Sequence, residues 1–296
     1  MNESNLYAGV ELGGTKCVAI LARGPEEVIA RETVPTGLPD ETLERLEVLL
    51  REWRAEHGLQ ALGIASFGPI DLDRSSATYG NLFDVTKPGW SGVAVLPRLE
   101  AAAGVATNLD TDVNGAALAE MRWGGARGAE DVAYITVGTG IGVGLIVNGL
   151  PTRGFGHCEL GHIRTARMPG DEWPGACPFH GDCVEGLASG PAIKARLGTG
   201  ALDAVRPDDP VWDSVAWALA QLCHAIVCAA APRVILIGGG VAEGQPHLLA
   251  RIEGLLVESL AGYVRLPEAR PYIRPPGLGA DAGPLGAIAL AMDANR

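Results

Sequence analysis

Leu6-Tyr-Ala-Gly-Val-Glu-Leu-Gly-Gly-Thr-Lys-Cys-Val-Ala-Ile-Leu-Ala22 holds two short apolar runs joined by Gly13-Gly14-Thr15-Lys16, and the fold turns on that junction. Strand, glycine turn, strand makes a hairpin with a hydroxyl at its tip. A P-loop needs a helix after the turn and the run G-x4-G-K-[ST], which is missing here. No G-x-G-x-x-G opens a helix after the first strand either, which argues against a dinucleotide fold. The hairpin recurs at Val132 to Val137, Gly138-Thr139-Gly140 and Gly142 to Val147, and a third turn, Gly238-Gly239-Gly240, follows the apolar run Arg233 to Ile237. Glycine is the default turn residue, so one such turn says little. Similar hairpins in both halves say more.

Working outward, the first half reads as strands Leu6 to Glu11, Cys17 to Ala22 and Val28 to Val34, then a helix from Asp40 to about Glu56. Asp40 is the expected cap of that helix, and Leu43, Leu46, Leu50 and Trp53 fall on one face. Strands Ala61 to Ser66 and Val105 to Leu109 follow, then a helix from about Asn114 to Met121. After its hairpin, the second half offers a helix near Gly186 to Arg196, a long helix from Val211 to Ala230, the strand Arg233 to Ile237, a helix from His247 to Leu260 and a short strand at Tyr272. The expected division is 1–112 and 113–283, with a closing helix in 284–296 returning to the first lobe. The uncharged stretch Val132 to Leu150 is long enough to span a membrane. Its five glycines and central turn make it two buried strands instead.

Within 157–185, His162, Cys177, His180 and Cys183 form the pattern H-x14-C-x2-H-x2-C. Two nitrogens and two sulfurs suit a closed tetrahedral Zn²⁺ site, with no position left for water, so the metal is expected to be structural. His162 belongs to Glu159-Leu-Gly-His162, so the metal should also shape the loop that presents Glu159.

The 296 residues are 47% hydrophobic and 20% charged, an ordinary globular composition with room for two lobes. A net charge of -12 opposes non-specific nucleic-acid binding. A polyanionic ligand would then rely on backbone N–H groups, a few placed cations and Mg²⁺. The 41 glycines, roughly twice average usage, meet that need. Met1-Asn2-Glu3-Ser4-Asn5 has neither a basic run nor an apolar core, so a cytoplasmic location with reduced cysteines is expected and no membrane partner.

Two hairpin-borne phosphate turns in repeated α/β halves point to the two-lobed actin-like, ribonuclease H-like ATPase fold of actin, Hsp70 and sugar kinases. Glu11-Leu-Gly-Gly-Thr-Lys16, Thr111-Asp-Val-Asn-Gly-Ala-Ala-Leu-Ala-Glu120, Glu159-Leu-Gly-His162 and the metal clip, in this order, resemble the ROK family of bacterial sugar kinases. Phe67-Gly-Pro-Ile-Asp71, Lys87-Pro-Gly-Trp90, Cys177-Pro-Phe-His180 and Pro275-Pro-Gly-Leu-Gly279 resemble its fructokinase branch. The resemblance implies ATP between the lobes, Asp112 as catalytic base, and Gly68, Glu159, His162 and Glu185 on the sugar. It also implies Gly13, Gly14, Thr15, Lys16, Thr139 and Gly140 on the phosphates, with Pro191, Gly239 and Gly240 flanking adenosine. Mg²⁺ should arrive with ATP, keeping several waters. Many aldohexose kinases of the family have Asp where Glu11 stands and Asn where Thr111 stands, and both changes favour fructose as the sugar.

The implied reaction is ATP-dependent phosphorylation of D-fructose, with mannose, glucose or an N-acetylhexosamine as the alternative acceptor. ROK repressors carry a DNA-reading element ahead of the kinase-like part, whereas the first strand here begins near Leu6, so a sugar-sensing role is not expected. A homodimer is the assembly considered.

Overall fold

The structure, a computed structural model, describes residues 5–83, 85–198, 200–268 and 271–294. The first four residues, on which the reading of the start rests, and the last two of the 284–296 segment lie outside the described residues. The described chain forms two compact units. The first comprises Met1–Arg127, Thr152–His157 and Ala280–Arg296; the second comprises Gly128–Pro151 and Cys158–Gly279.

In the first unit, β1 (Tyr7–Leu12), β2 (Lys16–Gly24) and β3 (Glu27–Pro35) are followed by α1 (Pro39–His57), β4 (Ala61–Ser66), α2 (Val95–Ala103), β5 (Thr107–Thr111) and α3 (Asp112–Trp123). The first unit thus takes in α3, which starts where the sequence placed a boundary. The sheet order is β3-β2-β1-β4-β5, antiparallel across the first three strands and parallel from β1 through β4 to β5. Every residue of β4 is buried, as a central strand covered on both faces requires. The edge strand β3 is mostly exposed and carries Glu27, Arg31 and Glu32, charges that discourage pairing with another chain.

Helix α1 buries Leu43, Leu46, Leu50 and Trp53 as expected, but Asp40 is not its cap. Leu38 takes the cap position, Pro39 opens the helix, and Asp40 lies in the first turn, where it accepts from Arg98 at 2.7 Å. Helix α2 was not expected from the sequence. Its apolar residues Val95, Leu96, Leu99, Ala102 and Ala103 keep helical spacing, and Gly104 closes it in the left-handed conformation.

The second unit repeats the plan. Strands β6 (Val132–Val137), β7 (Ile141–Val147) and β8 (Leu150–Pro151) precede α4 (Val184–Ala188), α5 (Gly190–Leu197), α6 (Val211–Ala230), β9 (Val234–Gly238), α7 (Gly240–Gly244), α8 (His247–Leu260) and β10 (Ile273–Arg274). Read from β8, the sheet order β8-β7-β6-β9-β10 reproduces that of the first unit strand for strand. A twice-repeated five-stranded sheet of this order is the actin-like architecture. The single helix expected at Gly186 to Arg196 is two helices, because Ser189 is extended and caps α5 by accepting from Ala192 N–H, and Pro191 then stands in its first turn. Helix α6 is apolar and long enough to cross a membrane by composition alone; it buries Trp212, Leu219 and Ile226 in the core of this unit. Each unit has its own hydrophobic core.

The last helix, α9 (Ala282–Met292), belongs to the first unit and packs on β1, β4 and α3 at backbone distance. Glycines permit that approach. A β-carbon on Gly63 would overlap the carbonyl oxygen of Ala287, and one on Gly286 would meet the backbone of Gly115. Gly63→Val is therefore expected to destabilise the protein by about 1–3 kcal/mol or more, the cost of overpacking a core that cannot yield. Urea unfolding checks this, and an unchanged midpoint would show that α9 can lift away.

Candidate active site

In the first unit the register decides which residues share an edge. Leu12 pairs with Ser66 and Ser66 with Thr111, so the carboxyl ends of the parallel strands β1, β4 and β5 finish level. The segments that leave them, Gly13–Lys16, Phe67-Gly68 and Asp112, therefore stand in one row. In open α/β sheets ligands bind along this edge. The turn is tied from behind, since the Thr36 hydroxyl donates to the Gly13 carbonyl at 2.7 Å and Thr36 N–H donates to Thr15 O at 3.0 Å. Gly14, Thr15 and Lys16 remain exposed. Burial pushes the Glu11 carboxyl above the usual carboxylate range, partly offset by Lys16 and Arg31.

The sequence leaves open whether Asp112 merely caps α3. Thr111 has that job: its backbone is extended and its hydroxyl accepts from Asn114 N–H at 3.2 Å. Asp112 follows as the first helical residue, half-buried, with Oδ1 accepting from Val113 N–H at 2.9 Å.

In the second unit the turn Gly138-Thr139-Gly140 is closed by Gly138 N–H donating to Gly140 O at 2.9 Å. Gly190 N–H donates to Gly138 O at 2.8 Å, which sets the start of α5, and with it Pro191, beside that turn. Gly239, in the left-handed region, lies against Thr136 and Val137 at the end of β6 and leads into α7. Thr139, Gly140, Pro191, Gly239 and Gly240 are thus gathered at the carboxyl ends of the parallel pair β6 and β9.

The clip residues also converge. Cys177 Sγ lies 3.8 Å from His162 Nδ1 and 3.7 Å from His180 Nδ1, and Cys183 Sγ lies 3.7 Å from His162 Nδ1. All four donor atoms fall within 4.8 Å of one another. Tetrahedral zinc with ordinary bond lengths separates nitrogen from sulfur by about 3.6 Å, so the donor set fits that ion. Burial pushes the Cys183 thiol up to about 11, so a cation bound there would displace a proton. Gly161 is required by the fold, because a β-carbon there would overlap the Ile141 carbonyl oxygen.

With Nδ1 turned to the sulfurs, His162 directs Nε2 toward Glu185 Oε1, 3.9 Å away. Glu185, on α4, accepts from Ile141 N–H through Oε2 at 3.0 Å, which locks the clip to the first residue after the glycine turn. Glu159 is exposed and starts the short 3-10 turn Leu160–His162, its carbonyl accepting from His162 N–H at 3.0 Å. Among the described residues all six cysteines are free thiols.

Sequence reading missed two groups that shape the first unit's edge. Asp110, with a fully buried carboxylate, pairs with Arg153, and His157 Nε2 accepts from Ile70 N–H at 3.1 Å. Only the alternation of Asp110 and Asp112 hinted at the first of these, and nothing local signals the second.

The chain belongs to the ROK family, whose pattern it matches over residues 7–294. It is 38% identical over 300 residues to the fructokinase of Zymomonas mobilis subsp. mobilis, covering 100% of this chain and 99% of that one. Its fold is similar to that of the ROK hexokinase from Thermus thermophilus, with a TM-score of 0.79, 30% identity, and 97% and 98% of the two chains covered. A ROK family glucokinase from Streptomyces griseus, in complex with glucose and AMPPNP, matches with a TM-score of 0.73 at 26% identity, over 98% of this chain and 100% of that one.

Proposed function

We propose that the protein is an ATP-dependent fructokinase that converts D-fructose to D-fructose 6-phosphate. The observation that carries the reading is the level row of Gly13–Lys16, Gly68 and Asp112 along one strand edge, in a chain full-length similar to a fructokinase. The 6-hydroxyl oxygen bonds to the γ-phosphorus, the bond to the ADP oxygen breaks, and the hydroxyl proton passes to Asp112. Such transfer depends on positioning and on charge stabilisation more than on covalent chemistry.

Thr15 and Lys16 are the phosphate-binding residues of the first unit and Thr139 and Gly140 those of the second, with Pro191, Gly239 and Gly240 around adenosine. Lys16 supplies positive charge in a chain of net charge -12. Glu159 and Glu185 accept from sugar hydroxyls, and His162, with Nδ1 on the metal, donates through Nε2–H; the 3.9 Å between His162 Nε2 and Glu185 Oε1 is too long for a direct hydrogen bond and leaves room for a hydroxyl to accept from the first and donate to the second. His162, Cys177, His180 and Cys183 would hold zinc, a structural ion that fixes the His162 tautomer and ring. Mg²⁺ entering with ATP supplies phosphate charge neutralisation. The cytoplasm is the proposed compartment.

Thr111 favours fructose over an aldose. Its hydroxyl is spent on the α3 cap, and it lacks the amide that many aldohexose kinases of the family carry there. An ADP-release assay over D-fructose, mannose, glucose and N-acetylglucosamine is expected to give the highest kcat/KM with fructose. Faster turnover of any of the others ends this assignment.

A further inference from the structure

The segment Arg153–His157 is a tight ribbon. Arg153 and His157 bridge antiparallel, Gly154 N–H donates to Gly156 O at 3.1 Å, and Phe155 stands fully exposed at the tip. Residues directly opposite in such a pair project to one face. Both side chains on that face grip the first unit's reacting edge: Arg153 pairs with Asp110, and His157 accepts from Ile70 N–H, just past the Gly68-Pro69 bond.

Asp110 is at the centre of the α3 start. Its Oδ1 accepts from Thr111 N–H and from Asn114 Nδ2, both at 2.8 Å, while Oδ2 takes the Arg153 guanidinium. The two residues flanking Asp112 in this network, Thr111 and Asn114, are themselves joined by the cap bond. A fully buried carboxylate needs a partner, yet that partner comes from 43 positions away on a segment that runs directly into Cys158 and Glu159.

We propose that Arg153 is a positioning residue for the phosphoryl transfer: through Asp110 it fixes the start of α3 and hence the carboxylate of Asp112, while His157 holds the neighbouring Gly68 loop in register. The inference rests on the assignment of Asp112 as the base. Steady-state kinetics of Arg153→Met, Arg153→Lys and the pair Asp110→Asn/Arg153→Met, together with Arg153→Met in an Asp112→Asn background, test it.

Arg153→Met is expected to lower kcat about 10-fold or more, since small misplacements of a reacting group cost up to about 10², with KM for ATP within about twofold. Arg153→Lys recovers most of the lost turnover by keeping the charge. The Asp110→Asn/Arg153→Met pair removes the buried charge and regains thermal stability but not kcat. In the Asp112→Asn background the Arg153→Met loss shrinks to within about twofold, because there is no base left to misplace. Full recovery of kcat in the pair would reduce Arg153 to a counter-charge and overturn the proposal. An undiminished loss in the Asp112→Asn background would overturn it alone, whereas an Asp112→Asn enzyme with parental turnover would overturn the base assignment as well.

Discussion

Asp112→Asn is expected to fold as the parent does and to lose on the order of 10²-fold or more in kcat, the usual contribution of a positioned general base. Both halves of that expectation come from the α3 start. Thr111, not Asp112, caps the helix, so removing the carboxylate uncaps nothing. Asparagine retains an Oδ1 that accepts from Val113 N–H, the bond Asp112 makes at 2.9 Å. Stability should then change by no more than about 1 kcal/mol, as for a near-isosteric substitution that leaves the cap intact. Proton acceptance is lost with the charge, while the Gly13–Lys16 turn, held by Thr36, is untouched, so KM for ATP should stay within about twofold of the parent. Coupled ADP release measured beside a thermal melt separates these effects. Parental turnover in a well-folded variant would remove Asp112 from the chemistry; a lowered melting temperature would instead show that the carboxylate braces the helix.

The fold was legible wherever the signal was local. Strands around Gly13-Gly14 and Gly138-Thr139-Gly140 announce themselves by apolar runs broken at glycine, and helices Val211–Ala230 and His247–Leu260 by apolar spacing, and the structure has both helices at those bounds. Local signals also misled. Asp40 is a good capping residue by type, but Pro39 fixes the first turn one residue earlier. Gly186 to Arg196 carries helical residues throughout, but the chain straightens at Ser189 to seat Gly190 on the Gly138 carbonyl, a tertiary bond that no periodicity encodes. Helix α2 was overlooked because Pro97 and a short apolar repeat look like loop until Gly104 is recognised as its end.

The site divides in the same way. Cys177-Pro-Phe-His180-Gly-Asp-Cys183 is readable from spacing alone, since its donors lie within one loop. Glu185 was readable as a carboxylate near the clip, but its hold on Ile141 N–H was not. Arg153 and Asp110 are a pair only in three dimensions, and neither lies in a spacing pattern that names a chemistry.

Removing the metal from the clip is expected to weaken sugar binding at least about 10-fold, within the 10–100-fold range typical when the shell that orients a site is lost, while ATP binding changes less than about twofold. At the tip of the clip, between Cys177 and Cys183, side-chain packing is sparse. Phe179 is exposed, Pro178 is exposed, and what packing there is depends on glycine: a β-carbon on Gly186 would overlap the Gly181 carbonyl oxygen and crowd Cys177. Without a cation to bind, the buried Cys183 thiol stays protonated and the two histidines lose the reason to point Nδ1 inward. His162 then turns freely, and its Nε2 no longer faces Glu185 across the gap proposed for a hydroxyl. The residues of the second unit proposed for the nucleotide are anchored by β6, β9 and the Gly190 to Gly138 bond, none of which uses a clip ligand. Cys177→Ser, or prolonged chelation followed by zinc restoration, read by calorimetric titration with fructose and separately with an ATP analogue, measures the split. Metal analysis of carefully prepared protein should return close to one zinc per chain. Chelated protein that binds fructose as tightly as before would strip the metal of its part in the sugar pocket, and equal losses for both ligands would mean that the whole second unit had loosened.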